Sequence, residues 1–132
     1  MLASTDTTSL SSEILDEAFS DFRSHAAQLA NRSDRRALWM ACVAVALCRQ
    51  NPARLEGARR CLEKWTAEQP WSRTLFATWR RLLRSCETLT EVLDPTEENQ
   101  ELRSASPLVG CLMPGEHPAA LRFFQELYPG MS

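Results

Sequence analysis

From Ala37 to Cys48 the chain reads ALWMACVAVALC, twelve positions with no charge and no strongly polar side chain, enclosed by Arg35-Arg36 and Arg49-Gln50. A membrane span needs about 20 apolar residues, so length argues against insertion. Four alanines with Leu and Met, and no Gly or Pro, favour a helix over a strand. Ser33 is placed to cap its start, with Asp34 in the first turn. Arg49 sits near the C-terminal dipole before Asn51-Pro52 stops it. A helix apolar on every side must be enclosed by others. The pattern therefore predicts an all-α protein, a compact bundle of four main helices around a buried central helix at about 34–50.

The flanking segments carry one-sided apolar patterns. Ile14, Leu15, Ala18, Phe19, Phe22, Ala26 and Leu29 predict a first helix over about 12–30, with Glu13, Glu17 and Asp21 opposite. Asn51-Pro52 opens a third helix to about residue 68, striped by Leu55, Ala58, Cys61, Leu62 and Trp65. Glu56, Arg60 and Lys64 form a charge ladder outside. Ser72 is placed to cap a fourth helix to about Cys86, whose inner face holds Leu75, Phe76, Trp79, Leu82 and Leu83. Thr88 and Asp94 match capping patterns for short helices at about 89–93 and 95–104, the second expected on the surface. Residues 104–117 break the pattern with Pro107, Gly110, Pro114 and Gly115. Their apolar content predicts an ordered, extended loop lying across the helices or meeting a partner. A last helix, about 118–128, packs Leu121, Phe124 and Leu127 and leaves Phe123 off its stripe.

Organisation follows simply: residues 1–11 are polar and read as a flexible start, and 12–132 as a single helical domain. No secretion signal is visible, and five cysteines without a CxxC pair read as reduced core thiols, which places the chain in the cytoplasm. Charge is segregated. Residues 1–30 hold five acids against one arginine, 31–86 twelve bases against four acids, and 87–132 eight acids against two bases. On the fourth helix Arg73, Arg80 and Arg84 fall within roughly 40° of one another, with Arg81 beside them. Such a stripe suits an acidic protein surface or phosphates. Because Phe76 and Trp79 point inward, a protein partner is preferred over nucleic acid.

No catalytic, metal or cofactor motif is present in the sequence: the histidines are His25 and His117, and Cys111 with His117 has an arbitrary spacing for a thiol and its base. The expectation is a non-enzymatic protein with no cofactor. Its candidate partner-binding residues are Arg73, Arg80, Arg81, Arg84, Leu108, Val109, Leu112 and Phe123. Nucleic acid is the alternative, and a homodimer is left open.

The run Leu102-Arg103-Ser104-Ala105-Ser106-Pro107-Leu108-Val109-Gly110-Cys111-Leu112 fits the pattern LRxxSPxxGxL. It resembles the tail of small uncharacterised helical bacterial proteins that look to be encoded beside nucleotidyltransferase-type toxins on mobile elements. Leu108 stands where that pattern usually has an aromatic residue, and Glu116-His117-Pro118 where Glu-Arg-Trp would follow. The resemblance implies an adaptor or antitoxin-like accessory protein with no activity of its own, partnered by a toxin or mobile-element enzyme.

Overall fold

A computed structural model describes residues 10–29, 31–69 and 73–127, with the side chain of Arg73 excluded. The described residues form seven α-helices and no strand. These are α1 (Ser12–Ala26), α2 (Arg32–Gln50), α3 (Leu55–Glu68), α4 (Arg73–Leu82), α5 (Cys86–Leu89), α6 (Glu97–Ser104) and α7 (Glu116–Leu127). Three 3-10 turns, Pro52–Arg54, Thr90–Leu93 and Pro107–Cys111, join them. No described helix is long and apolar enough to cross a membrane.

Helix α2 is the core. Leu38, Trp39 and every residue from Ala41 to Cys48 are buried, and α1, α7 and the segments after α4 surround them. Trp39 is fully enclosed: its indole N–H donates to the Ala120 carbonyl at 2.8 Å, and Phe22 meets its ring edge-on at 5.7 Å. The acceptor offsets the cost of burying that polar edge.

Several boundaries differ from the sequence expectation. The N-cap of α2 is Asn31, whose Oδ1 accepts from Asp34 N at 2.8 Å, so the helix starts before Ser33. Helix α1 ends at Ala26 instead of continuing to 30. At the other end Leu10 is buried and Ser11 caps α1, so these two belong to the folded domain. Pro52 opens a 3-10 turn, and the α-helix begins only at Leu55. On α3 the ion pair is Glu56 with Arg59, at 3.3 Å, one position from the expected Arg60.

Helix α4 stops at Leu82 because Arg59 reaches across to cap it, donating to Leu83 O at 2.8 Å and Arg84 O at 3.3 Å. Ser85 then caps α5, in place of Thr88. Thr96, in place of Asp94, caps α6, which is not a surface helix throughout, since Leu102 and Arg103 are buried. The expected caps and breakers at Ser72, Pro70 and Tyr128-Pro-Gly lie outside the described residues.

The stretch expected to be extended is instead the 3-10 turn Pro107–Cys111, laid flat on α3. Two glycines permit this. A Cβ on Gly57 would strike the Gly110 carbonyl, and one on Gly110 would strike that of Gly57. A bidentate ion pair fixes the end of the turn: Arg54 Nη1 and Nη2 meet Glu116 Oε1 and Oε2 at 2.7 and 2.9 Å. Arg54 also donates to Cys111 O at 2.8 Å, while Glu116 accepts from Met113 N at 2.7 Å. Both side chains are largely withdrawn from water, so the pair is held in an environment where its loss is costly.

Gly57→Ala is expected to lower stability by about 1–3 kcal/mol through overpacking. At an unobstructed helix position the same change would raise it by ~0.5–1 kcal/mol. Urea unfolding measures the sign, and a raised midpoint would refute the close contact. Glu116→Ala is expected to cost about 3–5 kcal/mol by leaving Arg54 unpaired. Gln125→Ala on the exposed face of the same helix should stay within about 0.5 kcal/mol.

Candidate functional site

The polar N-terminal end of α2 faces the junction of α6, the 3-10 turn and α7 across a cleft of about 410 Å³. Helix α2 contributes Ser33, Arg36 and Met40, and the end of α6 contributes Arg103 and Ser104. The turn and the residues around it supply Ser106, Leu108, Val109 and Leu112, and α7 supplies His117 and Leu121. Cations and hydroxyls thus share one concavity with aliphatic side chains. This combination orients and desolvates a ligand at the same time.

Arg103 is the least ordinary member. It is 4% exposed. Its Nη1 donates to the carbonyls of Val92 at 2.6 Å and Asp94 at 3.0 Å, which anchors the head group to the end of the 3-10 turn Thr90–Leu93. Nε and Nη2 have no hydrogen-bond partner. Burial pushes the guanidinium pKa down, opposed by the nearby Cys42, Asp34 and Asp94, but no carboxylate forms an ion pair with it among the described residues.

The structure separates the residues named from sequence into three groups. Leu108, Val109 and Leu112 come together on the cleft wall, Leu108 buried, Leu112 half-buried and Val109 48% exposed. Met113, 54% exposed, extends that lip beyond the cleft. Phe123 is half-buried against the core. Its ring stacks on Trp39, with centroids 5.0 Å apart and planes at 17°, and meets Phe19 edge-on at 6.3 Å, so it belongs to the internal packing.

The arginines at the end of α4 and in the turn after it form a separate surface, since the helix stops before Arg84. Arg80, Arg81 and Arg84 are exposed, but none lines the cleft. Arg81 pairs with Glu91 at 3.2 Å, Arg80 reaches Thr66 Oγ1 at 3.4 Å, and the side chain of Arg73 lies outside the described residues. Sequence reasoning missed Arg36, Arg103 and His117 as members of one site.

Cys111 and His117, whose spacing gave no reason to pair them as thiol and base, are not directed at each other. Buried Cys111 shares a hydrogen bond with Cys48, Sγ to Sγ 3.6 Å, whereas His117 faces the cleft. The bond to Cys111, with burial, pushes the Cys48 thiol up. The same S–H, together with Arg54, lowers Cys111 against the cost of burial. Burial pushes Cys42 up strongly and also raises half-buried Cys61 and Cys86. Native alkylation with iodoacetamide is expected to label Cys61 and Cys86 slowly. Cys42, Cys48 and Cys111 should react only after unfolding, as read by peptide mass mapping. Rapid native labelling of Cys111 would restore it as a nucleophile.

Comparisons with protein-family models, curated proteins and solved structures return no match for this chain.

Proposed function

We propose that the protein is a non-enzymatic protein-binding module, an adaptor or antitoxin-like accessory of an enzyme in a bacterial mobile-element or defence system. Its docking point is the lip formed by Val109 and Met113. The supporting observation is that these two large apolar side chains stand exposed on a segment the fold holds rigidly. A rigid apolar anchor loses little further conformational freedom on binding, which favours affinity. Arg36 and His117 beside the lip complement acidic residues, so the partner segment presents an apolar side chain with a neighbouring Asp or Glu.

The resemblance of the 102–112 run to proteins encoded beside nucleotidyltransferase-type toxins supports an enzyme as that partner. A second reading, nucleic-acid binding, draws on the exposure of Arg80 and Arg81 at the end of α4 and of Arg84 in the turn that follows.

Affinity capture from nuclease-treated native cells is expected to yield a stoichiometric protein that Val109→Asp with Met113→Asp reduces more than about tenfold, with the far-UV spectrum unchanged. Capture that survives these changes would refute the lip. Nucleic acid lost with nuclease, weakened by Arg80→Ala with Arg84→Ala and falling steeply with salt, would replace docking by phosphate binding. A self-associated dimer dispersed by the lip variants would identify the partner as a second copy.

A further inference from the structure

Arginine carries five N–H donors in a planar fork. In Arg103 both donors of Nη1 are taken by backbone carbonyls, which locks the plane of the group. The unfilled nitrogens, Nε and Nη2, are the two that lie along one edge of the guanidinium with parallel N–H bonds. That edge matches the two oxygens of a carboxylate. A desolvated cation without a counter-ion is among the costliest arrangements in a protein interior, and Arg54 of this same chain shows the ordinary solution by taking Glu116.

We infer that the cleft is a ligand site for a small organic acid, whose carboxylate fills the Nε/Nη2 edge of Arg103 and whose apolar body lies against Met40, Leu112 and Leu121. The site borders the docking surface and shares Val109, Arg36 and His117 with it, but it rests on Arg103 and not on the lip. A carboxylate fits because its two oxygens match that planar edge, and the negative field of nearby Asp34 weighs against a more highly charged anion even with Arg36 on the cleft rim. A volume of about 410 Å³ falls within the range of small-molecule sites, roughly 300–1,000 Å³. The orphan nitrogens are enclosed, so binding includes a local movement that opens them to the cleft.

The test uses the full-length, ¹⁵N-labelled chain and follows the Arg103 Nε–Hε resonance during titration with sodium hexanoate, acetate and inorganic phosphate. Hexanoate is expected to move that resonance downfield to saturation and to bind more than about tenfold tighter than acetate, because its longer chain buries more apolar surface. Arg103→Gln should abolish binding. Ser33→Trp, which fills the cleft from its exposed rim and leaves Arg103 in place, should weaken it at least tenfold and serves if Arg103→Gln does not fold.

Met113→Asp removes a docking anchor outside the cleft and should leave hexanoate binding intact, which separates failure of this site from failure of the lip. An unmoved Arg103 resonance, phosphate binding tighter than hexanoate, or hexanoate binding unaltered by Arg103→Gln or Ser33→Trp would overturn the assignment. So would loss of hexanoate binding in a folded Met113→Asp.

Discussion

A helix apolar on all sides has no face to give to water, and that constraint orders the molecule. Helix α2 buries Leu38, Trp39 and the run Ala41–Cys48, so every direction around its axis needs a covering element. Alanine makes the covering close: Ala41, Ala44 and Ala46 let neighbouring backbones approach, while Trp39 fills the wider space beneath α1 and α7. Hydrophobic burial is non-directional, but the Trp39 N–H is not, and its bond to Ala120 fixes the position of α7 along α2. At its N-terminal turns, where Ser33 and Arg36 precede the apolar run, α2 carries groups suited to a polar ligand. The cleft lies there.

The cover is not helical throughout, and the exception creates the surface. Packing the turn Pro107–Cys111 on α3 requires two backbones to touch, which Gly57 and Gly110 alone allow. Arg54 and Glu116 then tie Cys111 and Met113 to the start of α7. With its inward side chains Leu108 and Cys111 buried, the turn has no choice but to face Val109 and Met113 outward. Their exposure follows from the same contacts that close the core.

The helical class, the core helix and the inward stripes were legible in the sequence because burial repeats with the helix period. Caps were less legible, since Asn31 and Ser33, or Asp94 and Thr96, are chemically equivalent candidates. The local turn geometry chooses between them. Phe123 was misplaced because the apolar stripe of α7 was drawn for one contact, whereas the helix touches two aromatic neighbours, Phe19 and Trp39. Arg103 was invisible for a related reason. Nothing in the sequence around it distinguishes an exposed arginine from one whose head group passes under Val92 and Asp94.

The charge blocks of the chain are partly resolved by folding. Arg49 of the basic middle takes Glu17 and Asp21 of the acidic start at 2.9 Å each, Arg81 takes Glu91, and Arg54 takes Glu116. The Arg49 and Arg54 pairs join elements distant in sequence, so part of the segregated charge serves assembly of the fold. Arg103 stands apart from this scheme. It is a base in an acidic segment, the acids nearest to it contribute only at longer range, and its anchoring bonds come from neutral carbonyls. A structural arginine needs only a partner that folding supplies; one held in place by carbonyls, with its carboxylate-matching edge unfilled, is arranged for an anion that comes from outside the chain.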